Sequence, residues 1–193
     1  MAWLSHDELA VMGFASVGKG VLISDKASLY NCNNISIGNN VRIDDFCVLS
    51  AGRGGIFLAD YIHIAVYTSL IGAGRITLFD FCNLSSRVSI YSSNDDYSGT
   101  AMTNPTVPSC YTGMIHADVT LEKHVIVGSG SVILPGVTLR EGVVVGALSL
   151  INKDCAAFGV YAGTPAKHIG DRKKDLLKME QSMRDANNEN NYL

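Results

Sequence analysis

The chain has 193 residues, enough for one domain with a substantial core, and 47% of them are hydrophobic against 17% charged. A net charge of −3 without a long basic block gives nucleic acid no footprint. No apolar run approaches the ~18 residues of a membrane span, and the acidic residues of "MAWLSHDELAVMGF" interrupt any secretory leader. Five cysteines at irregular spacing form neither a CxxC zinc pattern nor an even disulfide framework, so reduced thiols in a cytoplasmic protein are the simplest expectation.

In chain order, residues 1–14 read as a capping helix: Ser5 stands as N-cap, Glu8 follows three residues on, and Gly13 stops it. An aliphatic residue then recurs every six positions within successive blocks: Val17, Ile23, Leu29; Ile37, Ile43, Leu49; Leu58, Ile64, Leu70; Leu78, Leu84, Ile90. After a gap the ladder resumes as Ile115, Leu121, Val127, Ile133, Leu139, Val145 and Ile151. The position two residues earlier is aliphatic or small as well, as at Ile35, Val41, Cys47, Ile62, Cys82, Val125 and Val143. A helix needs apolar positions three and four apart, and a simple strand needs alternation over a bounded run. A sustained period of six predicts a parallel β-helix of hexapeptide repeats, with three sides per coil and coils ~4.8 Å apart. Residues 15–170 hold about six such coils.

Extra residues enter after Leu29, Leu49, Leu70 and Ile90, always after a third side, so all should leave from one corner. The longest insertion, 91–114, predicts a projecting arm, and an arm on a rigid scaffold is a natural seat of function. Residues 171–193 read as a C-terminal helix, with Leu176, Leu177, Met179 and Met183 at helical spacing, running into a frayed polar "ANNENNYL".

The stretch "VIVGSGSVILPGVTLREGVVVGALSLINKD" followed by "VYAGTPAKHI" resembles the hexapeptide acyltransferase superfamily. Within it the chain is similar, over roughly residues 15–170, to the galactoside and maltose O-acetyltransferases and to the acetyltransferases of bacterial surface polysaccharides. The resemblance implies a left-handed coil, a homotrimer with sites between subunits, acetyl-CoA as co-substrate and no metal. It also implies cofactor contacts at Ser129, Gly146 and Ala147, at Asn152 and Lys153, and at Lys167. The expected reaction is acetyl transfer to a sugar hydroxyl in surface-polysaccharide synthesis. Its alternatives are N-acetylation of a nucleotide-linked amino sugar, or a trimeric scaffold without turnover.

One position departs from the pattern. Asp95 stands where the O-acetylating relatives carry a histidine, and no histidine occurs between Ile64 and Ile115. If the acceptor is a hydroxyl, His63 in "DYIHIAVYTSL" is the expected base, with Asp95 or Asp96 orienting it or the acceptor. Asn94 and Tyr97 are expected to bind sugar hydroxyls. An amine, once deprotonated, attacks a thioester without a strong base, and some sugar N-acetyltransferases of the superfamily carry an Asn-Asp pair like Asn94-Asp95. His63, His116 and His124 fall in different slots of the repeat, which argues against a shared metal, and His124 is expected on the surface. Cys47 and Cys82 sit on inward rungs as small packing residues, leaving backbone N–H groups at a prism turn to stabilise the oxyanion.

Overall fold

The computed structural model describes residues 2–190. Its body is a prism with three faces of stacked parallel strands. The first face carries Ser16–Val17, Ile35–Ile37, Ile56–Leu58, Ile76–Leu78, Val119–Leu121 and Thr138–Leu139. The second carries Leu22–Ile23, Arg42–Ile43, His63–Ile64, Asn83–Leu84, Ile126–Val127 and Val144–Val145. On the third stand Ser28–Tyr30, Val48–Ala51, Ser69–Gly72, Ser89–Tyr91, Val132–Ile133 and Leu150–Ile151. Among the described residues this makes six complete coils, as the period predicts.

The register shows why the period is six. Ile43 pairs with Ile64, Ile64 with Leu84, Leu84 with Val127, and Val127 with Val145, so each rung lies on its counterpart one coil away. All five side chains are buried, and full burial of one such chain contributes about 1.5–3 kcal/mol. The four insertions leave the prism between its third and first faces, again as the spacing predicts. The intervening corner between the second and third faces needs a left-handed residue. Phe46, Tyr67 and Arg87 supply it in successive coils, and Gly130 in the next.

Several expectations are corrected. Ile115 is not a rung: it is 62% exposed and pairs antiparallel with Asn94 at the base of the arm. Val17 lies at the open end of the stack and is 37% exposed. The first helix, α1 (His6–Val11), has the Ser5–Glu8 capping box and inserts Leu9 into the core. At the far end the second face continues with Gly159–Gly163 and then turns back on itself as Ala166–Asp171, an antiparallel closure that the period does not announce.

The second helix, α2 (Leu176–Asn190), is fastened largely by charge. His124 Nε2 lies 2.6 Å from Glu180 Oε2, and Arg184 reaches Glu180 and Asp80 at 2.7 and 3.0 Å. His124 is therefore nearly buried, stacked on Phe81 with ring centroids 4.8 Å apart, and is not the surface residue expected. Burial raises the Glu180 carboxyl, but hydrogen bonds from His124 and Arg184 outweigh it and hold the group at about 2. Leu176, Leu177 and Met183 are half-buried, whereas Met179 faces solvent. The helix persists to Asn190 instead of fraying at residue 186, and the last three residues of "ANNENNYL" lie outside the described residues.

Candidate active site

The arm begins and ends on one short ribbon. Ser93–Asn94 pairs antiparallel with Ile115–His116, Ser93 facing His116 and Asn94 facing Ile115. Ser93 Oγ accepts the Ala73 N–H at 2.7 Å and meets His116 Nδ1 at 2.8 Å. Asp95 follows directly, half-buried, and its carboxylate makes no hydrogen bond or ion pair among the described residues.

Its neighbour is different. Asp96 accepts from Ser98 N and Oγ at 2.8 and 2.6 Å, from Thr100 Oγ1 at 3.1 Å and from Ala101 N at 2.8 Å. These bonds, those from Ser98 foremost, hold its carboxyl well below the usual carboxylate range. Asp96 thus organises the arm and is poorly suited to take up a proton. Tyr97 projects from the arm, 87% exposed.

His63 opens its strand on the second face, two residues after the left-handed Tyr61 at the corner that leads from the first. Its Nδ1 lies 3.1 Å from Asn83 Oδ1 and its Nε2 3.0 Å from Asp44 Oδ2, while Arg42 Nε holds the other Asp44 oxygen at 2.7 Å. Burial raises the Asp44 carboxyl, but the bonds from His63 and Arg42 more than offset this and keep it below its ordinary value. Both His63 ring nitrogens are committed, so accepting a substrate proton would first break a bond. Asp95 leaves the corner between the third and first faces, opposite the second face that carries His63, so one chain does not bring the two residues together.

The cofactor positions divide similarly. Ser85, Gly128, Gly146 and Ala162 mark successive levels of the corner between the second and third faces. A Cβ on Gly128 would stand 2.5 Å from Ala147 N, and one on Gly146 would stand 3.0 Å from Ala162 Cβ, so the backbones stack at minimum thickness. Ser131 and Ser149 hydroxyls both donate to Gly146 O, at 2.9 and 2.7 Å. The N–H groups of Ser86, Ser129 and Ala147 have no partner among the described residues, leaving a column of donors along the corner. Lys167 pairs with Ala162 in the closing hairpin and adds a cation at the same level. Asn152 and Lys153 lie round the next corner, beyond Leu150–Ile151, in a small pocket with Asp154, Cys155, Tyr161 and Ala166.

The thiols and histidines offer no second centre. Burial pushes Cys47 up to about 11 and Cys82 up to about 12, and their Sγ atoms approach Ala65 O and Glu122 O at 3.1 and 3.2 Å. His63, His116 and His124 engage separate partners, and among the described residues no group of three or more His, Cys, Asp or Glu side chains converges as a metal site. Among the described residues no helix is long and apolar enough to cross a membrane.

No protein-family model matches the chain. It is 61% identical over 180 residues to a dTDP-4-amino-4,6-dideoxy-D-glucose acyltransferase from Escherichia coli, covering 93% of this chain and 94% of that protein. The structure of an N-acyltransferase from Bacillus cereus, in complex with dTDP and 3-hydroxybutyryl-CoA, matches with a TM-score of 0.93 and 45% identity, over 96% of this chain and 98% of that one. Other structures of that enzyme carry substitutions at an aspartate and at a serine ten residues before it. A maltose O-acetyltransferase from Clostridium difficile shares the fold alone, with a TM-score of 0.59 and 21% identity over 87% of this chain and 75% of that one. The expected kinship with the hexapeptide acyltransferases holds, and within it these relatives back the amino-sugar N-acylating alternative better than transfer to a hydroxyl. The chain belongs to the left-handed β-helix superfamily of hexapeptide-repeat, CoA-dependent acyltransferases, in the branch that holds the dTDP-amino-sugar N-acyltransferases.

Proposed function

We propose that the protein transfers an acyl group from acyl-CoA to the amino nitrogen of a dTDP-linked 4-amino-4,6-dideoxy sugar, in a groove between neighbouring copies of a homotrimer. The observation that carries this reading is Asp95: a half-buried, uncommitted carboxylate at the arm base, in a chain 61% identical to an enzyme named for that acceptor. A carboxylate there suits an ammonium group, which it attracts and orients. A hydroxyl would need its proton removed as it attacks, and the expected base, His63, has both ring nitrogens engaged.

The remaining parts take roles consistent with this. The thin corner at Gly128 and Gly146 lets the pantetheine arm lie against backbone, and the N–H groups of Ser129 and Ala147 are free to bind carbonyl oxygens. Lys167 meets the phosphates of CoA, with Asn152 and Lys153 of a neighbouring copy closing the groove. Asp95 and Ser85 stand ten residues apart, the spacing of the substituted pair in the Bacillus cereus enzyme. Ser85 and Asp95 occupy different corners of one chain, so a site using both needs two copies, which supports the trimer. Asn94 and Tyr97 bind the sugar, and His63 with Asp44 forms the groove wall beneath it. The acyl group is acetyl by kinship with acetyltransferases, and 3-hydroxybutyryl is the competitor to assay beside it. The five unpaired thiols suit a cytoplasmic enzyme, with its product destined for a surface polysaccharide.

The test is thiol release from acetyl-CoA with a matched pair of dTDP-sugars, one bearing an amine and one a hydroxyl at the same carbon. The amine should be preferred by on the order of 10²-fold or more in kcat/KM. Equal turnover of the hydroxyl would restore O-acetylation. Failure to bind CoA in a calorimeter would favour a scaffold without turnover.

A further inference from the structure

His116 is the second residue of the strand on which the arm returns, directly opposite Ser93. Its Nδ1 is fixed by Ser93 Oγ at 2.8 Å, and that hydroxyl is fixed in turn by the Ala73 N–H at 2.7 Å. Its Nε2 has no partner among the described residues, and the ring is exposed to solvent. Three other histidines differ. His63 is bound at both nitrogens, His124 is held by Glu180 under Phe81, and His168 Nε2 bonds Asp171 at 2.9 Å.

Asp95 lies two residues beyond Ser93. A Cβ on Gly113 would come within 3.3 Å of Asp96 Cβ, so the two chains still run side by side past the Asn94–Ile115 pair. The two-residue alternation of extended chain returns Asp95 to the ribbon face of Ser93 and His116, where diagonal neighbours lie ~7–8 Å apart. An acceptor ammonium held by Asp95 therefore stands within a side chain's reach of a fixed imidazole.

We propose that His116 Nε2 is the proton acceptor for the acceptor's ammonium group, which rests on the amine-acylating reading above. The ammonium gives one proton to His116, and the nitrogen lone pair then forms the N–C bond to the thioester carbon. The C–S bond breaks, the departing thiolate takes the second nitrogen proton, and His116 returns its own to solvent. The charged groups around the ring are few. Asp95 lies on the outgoing strand, and Asp118, two residues on, is tied to the Arg75 N–H at 2.8 Å. The Arg75 guanidinium lies over Phe57 on the first face.

The experiment compares wild type and His116→Gln with acetyl-CoA and the dTDP-amino sugar from neutral to alkaline pH. Glutamine can still bond Ser93 but cannot take up a proton. At neutral pH kcat/KM should fall by ~10²- to 10⁴-fold. The defect should shrink as pH rises past the amine's own pKa, because a free amine needs no base. Binding of CoA and the melting temperature should be unchanged. Ser93→Ala, which releases the ring without removing it, should show a smaller loss with the same pH trend. His116→Asn serves if the glutamine variant does not fold. Near-wild-type turnover at neutral pH, or a defect equal at every pH, overturns the assignment. Wild-type turnover separates the two claims: if the wild type acylates the amine and the variant matches it, only the role of His116 falls.

Discussion

Asp95 and Asp96 are adjacent in sequence and opposite in circumstance. Asp96 accepts four hydrogen bonds from the next five residues, whereas Asp95 accepts none among the described residues. The motif "DYSGTA" could have revealed this, since an Asp followed by Ser and Thr two and four residues on is an acidic turn cap. What no local pattern could reveal is His116, which reaches Ser93 only because the whole arm closes on itself. Asp95→Asn should keep the shape and remove the charge. Charge-assisted hydrogen bonds contribute about 1.5–3 kcal/mol, so acceptor kcat/KM should drop by about 10- to 150-fold with CoA affinity intact. Full activity in that variant would remove Asp95 from acceptor binding. Asp96→Asn should instead loosen the arm, seen as faster amide exchange at Ser98 and Ala101.

The elements differ in how openly their sequence announced them. The rungs were legible because every inward side chain meets only its counterparts in neighbouring coils, so one repeat carries the whole rule. The C-terminal helix was legible as a helix but not in its docking, because apolar spacing cannot show that Glu180 and Arg184 are the anchors. That anchorage should depend on pH. The Glu180 carboxyl falls from 4.5 to about 2 on folding, so its stabilising effect is complete above pH 4.5 and is lost as pH falls toward 2. Amide exchange or limited proteolysis across 176–190 should show α2 released in that window, before the prism unfolds. Glu180→Ala should release it at neutral pH. Equal protection of α2 at pH 3 and pH 7 would mean that packing of Leu176 and Leu177 holds the helix, not the ion pairs.

At the scale of the molecule, the phase of the insertions located the arm, yet the period is blind to which corners meet in an assembly. Ser85, Gly128 and Gly146 mark one corner, and Asp95 and His116 stand at another, across the strand Ser89–Tyr91. If the reaction joins these corners across a subunit boundary, two impaired variants should rescue each other. Asp95→Asn removes the charge at the arm base. Gly146→Val fills the thin corner, where even a Cβ would stand 3.0 Å from Ala162. Mixed assemblies of the two should regain activity, because some grooves unite an intact arm with an intact corner; absence of rescue would place the whole site within one chain. The central chemical claim has a more direct test. A dTDP-4-amino-4,6-dideoxy sugar offers one amine and free hydroxyls to the same acyl-CoA, and nuclear magnetic resonance of the product reads which atom carries the acyl group. The account predicts a single amide at the sugar nitrogen, resistant to hydroxylamine; an ester at a ring hydroxyl, cleaved by hydroxylamine, would contradict it.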